Sequence, residues 1–484
     1  MDSLRTVVVA SFVAGMASSA LAADILVPQD VRNLRDALFM TQPGDRVIVT
    51  GGTWRNGRMM APGVRLIGRG ATLSGLWEVY GTGASIEGCT VRDGVIQIEA
   101  DGVTLRRNRF VPPGAKSKVT GEGVSGLVLE DNRFVRSRAE VRDTTGCLLR
   151  GNRYLGGGCY VWGDGTLVEE NVLLGNSKIA AGFGTNVAVR GNSGGFLDLR
   201  SATDAFVERN SAQRIEVTGN GALVAHNDIP AGRSLYVEGD DVVVLDNRVS
   251  SVFRSGGFAV HGDRLTVTDN VIDNLGTSRA RLGTWAVMTI GGRTSGRSLG
   301  PSKVLRNQVI HRLRGGMEFS CNDAEIGSNT MRGTGAYNSL WIQGQRNNVH
   351  DNTIVRQAEV DNLRVGIRLE GDENVVADTS VDQAPYDGVV VSGTGNLLAR
   401  VHVGKAGRCG ITVDESAATT GIADCTVDGA RWASLYVLGT DTTVTGGSFT
   451  GGRQVDVLDL GTGSQFVTVT FDSKSENLAL KPYR

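Results

Sequence analysis

A short string recurs along this chain: an aliphatic residue, two variable positions, an asparagine, one variable position and, usually, another apolar residue. It reads Leu105-Arg106-Arg107-Asn108-Arg109-Phe110 and Leu129-Glu130-Asp131-Asn132-Arg133-Phe134, and continues through Asn152, Asn171, Asn192, Asn210, Asn227, Asn247 and Asn270. After a longer gap it resumes at Asn307, Asn329 and Asn352. The usual step is roughly 17–24 residues, a period that belongs to solenoids. One such coil cannot bury its own apolar face, so coils must stack, roughly 4.8 Å apart, with their aliphatic residues inside. An Asn at the turn tolerates unusual backbone angles and can hydrogen-bond its own coil and the next. A ladder of them would satisfy turn amides that are costly to bury. Leucine-rich repeats also use Asn, but here the Leu scaffold is absent and β-branched residues dominate. The expected fold is all-β: a single-stranded right-handed parallel β-helix.

The ladder is expected to fade after Asn352 while coils continue, as in Val375-Val376-Ala377-Asp378, Leu397-Leu398-Ala399-Arg400 and Gly421-Ile422-Ala423-Asp424. Val64-Arg65-Leu66-Ile67-Gly68 and Ser85-Ile86-Glu87-Gly88 read as earlier coils. At the N-terminal end, Asp30 to Met40 places Val31, Leu34 and Leu38 on one helical face, with Asp30 as the expected cap. Gln42-Pro43-Gly44-Asp45 stops that helix, and Val47-Ile48-Val49 is expected to begin the first strand. A short helix there would cover the open end of the solenoid, whose bare strand edge invites aggregation. Length alone would suggest about three domains. A solenoid grows without dividing, so residues 23–484 are expected to form one domain.

Residues 1–22 read as a secretory signal: Arg5, a mostly apolar run from Val7 to Met16, and Ala20-Leu21-Ala22 as the cleavage site. The alternative is an amphipathic first helix. A secreted or periplasmic protein is expected, and no later stretch is apolar for the roughly 18 residues that a membrane span needs. Lys+Arg number 50 against 51 Asp+Glu, a balance that argues against nucleic acid as partner. A monomer is expected. The cysteines (Cys89, Cys147, Cys159, Cys321, Cys409, Cys425) fit no metal-binding spacing. An exported protein permits disulfides, but most of these residues sit beside apolar strand positions, which suits buried thiols equally well. Between Asn270 and Asn307 one coil is much longer, and carries Arg279, Arg281, Arg293, Arg297 and Lys303 among Gly and Ser. It reads as a projecting loop that either lines a binding site or is simply solvated.

Strand alternation separates inward from outward residues. Ile179, Leu197, Leu199, Ile215, Val217, Leu235, Val237 and Val260 are expected inside. Outward neighbours are then Tyr160, Trp162, Lys178, Asp198, Arg200, Arg214 and Glu216, continuing with Tyr236, Glu238, His261, Glu318, Trp341, Gln343, Arg368 and Glu370. Such a face suits an extended acidic polysaccharide. Aromatic rings offer flat faces to pyranose C–H groups, and Arg or Lys pairs with uronate carboxylates. Tyr160, Trp162, Arg214, Trp341 and Arg368 are the expected substrate-binding residues. The plainer alternative is a solvated sheet face with cross-strand ion pairs of little individual worth.

The segment Asp24-Ile25-Leu26-Val27 through Gln42-Pro43-Gly44-Asp45-Arg46-Val47-Ile48-Val49 and Gly52-Thr53-Trp54 resembles the opening of the β-helix polysaccharide lyases of the alginate lyase and chondroitinase B family. Ser74-Gly75-Leu76-Trp77 through Gly94 is similar to that family's early coils. Leu197-Asp198-Leu199-Arg200 followed by Val207-Glu208-Arg209-Asn210 resembles its "LTLRHG…VExN" strand, and Ile215-Glu216-Val217-Thr218-Gly219-Asn220-Gly221 its "IRIIGxG". The resemblance implies a pectate-lyase-like solenoid and gives Arg200 the role of the family's catalytic arginine. The family's catalytic lysine falls near Phe183, with Lys178 displaced on the same coil; Ser201 replaces its His and Glu216 its second Arg.

β-Elimination removes the C5 proton of a uronic acid, beside a carboxylate that must first be neutralised by a cation or by hydrogen-bond donors. The resemblance implies calcium for that task and a lysine as base. Here Arg200 is expected to hold the carboxylate or assist proton transfer, and Lys178, near Arg200 and Arg214, to act as base. Tyr236 and His261 are reserves as acid or base. Asp198, Glu216 and Glu238 could hold Ca²⁺ through oxygen ligands, or pair with neighbouring arginines. The residues leave open a uronate C5-epimerase, although the "DPHD" string of the resembled periplasmic epimerases is absent. They also leave open a non-catalytic glycan-binding surface protein, and a hydrolase using paired carboxylates.

Overall fold

The computed structural model describes residues 22–112, 117–232, 234–251, 257–274, 288–292, 300–311, 316–333, 338–356 and 365–475. The leader-like segment up to residue 21 and four residues of the long coil (Arg279, Arg281, Arg293, Arg297) lie outside the described residues. Lys303 lies on the strand Lys303–Leu305, with its ammonium 3.9 Å from Glu325.

The aliphatic periodicity produces a parallel β-solenoid of about 18 turns. Each strand pairs in parallel with its counterpart on the next coil, as Ser193–Arg200 does with Arg214–Thr218 and Phe206–Glu208 with Leu223–Ala225. Two long sheets run along the molecule, and a third begins at Asp228–Gly232. Before that point its position is continuous with the second sheet, as in the strand Val172–Gly182. One contiguous apolar core extends from Val27 to Val457. The inward residues expected from alternation, Ile179 through Val260, are all buried in it. All six cysteines are buried and free. Among the described residues no helix is long and apolar enough to cross a membrane.

The asparagines form the expected ladder, with one correction of mechanism. The left-handed backbone falls on the residue before each Asn: Arg107 (φ 54°), Asp131 (φ 55°), Arg209 (φ 52°) and Asp269 (φ 59°). The Asn itself supplies hydrogen bonds. Asn210 donates its amide N–H to Asn227 Oδ1 at 3.0 Å and its Nδ2 to Val189 O at 2.9 Å, while its own Oδ1 accepts from Asn192 N at 3.0 Å. The ladder ends where Asn352 N donates to Thr379 Oγ1 at 3.3 Å. It is not the only one. Asn347, Asn374 and Asn396 make a second ladder at another corner, with N–H to Oδ1 distances of 3.0 and 2.9 Å. Repeat spacing alone hid it, because these residues are offset from the first series.

The N-terminal helix is shorter than expected, Leu34–Met40, and its cap is Asn33, whose Oδ1 accepts from Arg35 N at 3.0 Å. Asp30 instead accepts from Leu26 N at 2.8 Å and closes the turn after a preceding strand. That strand, Asp24–Val27, is the true start of the sheet and pairs in parallel with Arg46–Thr50. Leu34, Ala37 and Leu38 are buried in the core, so the helix does cover the end of the solenoid.

Candidate functional site

The second sheet stacks its outward residues into columns. One column runs through successive Cα partners Tyr160, Ala180, Asp198, Glu216, Tyr236, Ala259, Thr289, Glu318, Trp341 and Arg368. At roughly 4.8 Å per coil it spans about 43 Å. Beside it lie Lys178, Phe196 and Arg214 on one side and Trp162, Gly182 and Arg200 on the other. A bulge between Leu173 and Lys178 turns the strand so that Lys178 joins this face.

These columns make a shallow seat. Ala180 and Gly182 form its floor, because at these two positions the coil presents almost no side chain outward. Gly182 is required there: a Cβ would stand 2.1 Å from the Arg200 carbonyl oxygen. Tyr160 and Trp162 rise from the preceding coil, and Asp198 and Arg200 from the following one. Trp162 is braced edge-on by Phe183 (ring centroids 5.8 Å) and carries the Arg142 guanidinium 4.5 Å from its ring centre.

Asp198 organises the charges. It points outward as expected, yet Lys178 and Arg200 cover it until only 6% of its side chain is exposed. Lys178 Nζ donates to Asp198 Oδ2, and Arg200 Nε lies 3.1 Å from each carboxylate oxygen. Burial alone would raise the Asp198 pKa, but the hydrogen bonds from Arg200 and Lys178 and their charges outweigh it and hold it below the ordinary carboxylate range. Arg200, 60% exposed in its side chain, is pushed up in turn by its bond to Asp198. Two cations share one anion, so the seat carries net positive charge. Of the two cations expected beside Lys178, Arg200 shares the Asp198 carboxylate with it, whereas Phe196 stands between Lys178 and Arg214 in the column.

The remaining expected residues are distributed differently. Arg214 pairs with Glu216 at 2.6 Å on the next coil. Tyr236 lies two coils beyond Asp198, about 10 Å along the axis. Its hydroxyl donates to Glu238, and its ring centre is 5.7 Å from that of His261. His261 Nδ1 is 2.8 Å from the Gly291 carbonyl, which can only accept, so this nitrogen carries the proton. Tyr236 and His261 therefore form a separate pair outside the seat. Asp198, Glu216 and Glu238 do not converge: among the described residues no three His, Cys, Asp or Glu side chains are placed to hold a metal ion together. Each acid is engaged locally, by Lys178 and Arg200, by Arg214 and by Tyr236 respectively. This arrangement does not fit a calcium ion held by those three acids.

Farther along the same face, Trp341 and Arg368 belong to a second polar cluster. Glu370 accepts from Arg368 Nε at 2.5 Å, Trp341 Nε1 at 3.0 Å and Gln343 Nε2 at 3.3 Å. Alternation placed these residues outward, but their convergence depends on how two successive coils meet. The contributions of Phe196, Ala180, Gly182 and Arg142 were also missed, since small residues and a ring in a charged column look unremarkable in sequence. An apolar hollow of ≈ 450 Å³, lined by Pro112, Val135, Arg136, Leu155, Gly156 and Gly175, lies around the bulge from the seat and contains none of these groups.

No protein-family model and no curated protein matches this sequence. Among solved structures, the chain is similar to a PL6 alginate lyase in complex with trisaccharide (13% identity, TM-score 0.33, covering 95% of this chain and 89% of that one). It is also similar to the PL6 family alginate lyase AlyGC (11%, 0.34, covering 94% and 100%). A third is the periplasmic alginate epimerase AlgG (9%, 0.22, covering 90% and 82%). At such identities and scores the likeness concerns the solenoid architecture alone.

Proposed function

We propose that this protein is an exported, monomeric polysaccharide lyase that cleaves a uronic-acid polymer, such as alginate, by β-elimination. The observation that carries the reading is the positively charged seat: Lys178 and Arg200 around Asp198, over a floor of Ala180 and Gly182, beside Tyr160 and Trp162. A sugar ring resting on that floor meets aromatic faces from the preceding coil, Lys178 on the floor coil itself and Arg200 from the following coil. The exposed Arg200 guanidinium offers its donors to the uronate carboxylate, which lowers the cost of the developing carbanion. Asp198 is the positioning residue that keeps both cations on the seat. Lys178, once its ammonium has released a proton to solvent, takes the C5 proton; the C4–O4 bond breaks as the C4–C5 double bond forms. The leaving oxygen is then protonated by the Lys178 ammonium or by water.

The test is ultraviolet absorbance from the new conjugated double bond on alginate, polyglucuronate and chondroitin. Lys178→Ala and Arg200→Ala are each expected to lower turnover by on the order of 10²–10⁴ with polymer binding retained. Deuterium uptake from solvent without cleavage would identify an epimerase instead. Binding with neither reaction would identify a glycan-binding protein.

A further inference from the structure

Five coils beyond Asp198, about 24 Å along the axis, the same face carries a carboxyl group that the seat does not use. Glu318 is half-buried, and among the described residues its carboxyl has no hydrogen-bond or ion-pair partner. Its neighbours in the column are Thr289 on one side and the Trp341 indole on the other. Glu370 lies two coils on and one outward position across, which places the two Cα atoms roughly 12 Å apart. The environments of the two acids are opposite. Burial, and then the Glu370 charge, pushes the Glu318 pKa above the ordinary carboxylate value. Glu370 is fixed by three donors: Arg368 on Oε1, and Trp341 and Gln343 on Oε2. Two carboxylate oxygens offer about four acceptor positions, so roughly one, on Oε1, is left open. Gln343 is itself held, its Oε1 accepting from Ser320 Oγ at 3.1 Å.

We propose that Glu318 and Glu370, with Trp341 as the sugar platform, form a second catalytic centre that hydrolyses a glycosidic bond of an acidic polysaccharide. An acid with no partner among the described residues and a hydrogen-bonded carboxylate on the same face supply the division of labour such hydrolysis needs. Glu318 gives its proton to the leaving glycosidic oxygen as the bond from that oxygen to the anomeric carbon breaks. A water attacks the same carbon and passes its proton to Glu370. One C–O bond forms, one breaks, and one water is consumed; exchange with solvent restores both carboxyls. A separation of roughly 6.5–9.5 Å between the two carboxyl groups would leave room for that water and make the reaction an inverting one. Arg368, on the same column, faces the uronate groups of the polymer.

The inference rests on reading this face as a polysaccharide track, and mass spectrometry of the products separates the two. Alginate, polyglucuronate and chondroitin are incubated with the intact protein, and bound polymer is measured in parallel. Hydrolysis yields saturated fragments, whereas elimination leaves an unsaturated non-reducing end. Saturated fragments are expected from the unmodified protein, falling by on the order of 100-fold or more in Glu318→Gln and Glu370→Gln. Both changes are near-isosteric, and circular dichroism checks that each variant is folded. Only unsaturated fragments, or bound polymer left intact, would overturn the second centre while leaving the track standing. Failure to bind any of the three polymers would remove the track and the proposal with it. Saturated fragments that persist in both variants would also overturn it.

Discussion

Two carboxyl groups on one face titrate in opposite directions, and this makes them separable by experiment. Asp198 is held below the ordinary carboxylate value, so its ion pairs stabilise the fold above the unfolded pKa, near 4, and that contribution is lost as pH falls through the lower folded value. Glu318 is held above it, so the folded state binds the proton more tightly and stability falls as pH rises from about 4 through the raised value. In denaturant midpoints measured between about pH 2 and 7, Asp198→Asn should flatten the acid-side loss. Glu318→Gln should remove the decline on the other side, making that variant at least as stable as the unmodified protein at pH 7. Asp198→Asn should also lower turnover by roughly 10–100-fold, because the two cations then lose the anion that holds them on the seat. These roles were partly legible beforehand. Alternation identified Lys178, Asp198 and Arg200 as outward neighbours, but burial of Asp198 beneath them required knowing which way two long side chains bend.

At the scale of the turn, stability comes from hydrogen bonds that pass from coil to coil. Asn210 exchanges bonds with the Asn on each side and also satisfies Val189 O, all in the buried corner. Asn210→Ala should therefore cost about 2–4 kcal/mol, since several buried groups lose partners at once. Asn352→Ala, at the ladder's end with one 3.3 Å bond to Thr379 onward, should cost less. Hydrogen exchange of amides in the flanking coils is the appropriate measurement, because a solenoid need not unfold as one unit. Outside the ladder, pairs such as Arg264–Asp241 and Arg346–Asp323 staple neighbouring coils at their left-handed residues. The pairs are exposed, and each contributes little by itself.

For the whole molecule, each coil touches chiefly its neighbours, so the two ends are where the architecture is vulnerable. The strand Asp24–Val27 and the helix Leu34–Met40 cover the first full strand, Arg46–Thr50. Deleting residues 24–40 should bare that edge and produce concentration-dependent association, read by light scattering; a monomeric truncated protein would show that the cap is dispensable. The sequence by itself determined the solenoid, the first Asn ladder and the inward residues, because period and alternation are local properties that stacking merely repeats. It also marked the face on which polar and aromatic residues collect. Only the tertiary structure decided that Ala180 and Gly182 make a floor and that Phe196 separates Lys178 from Arg214. Only it, too, joined Arg368, Trp341 and Gln343 on Glu370 and left Glu318 without a partner among the described residues. Apart from the Arg368–Glu370 pair on one strand, those contacts join residues some 20 to 30 positions apart, so they depend on the length of every intervening turn, which periodicity in the sequence does not fix.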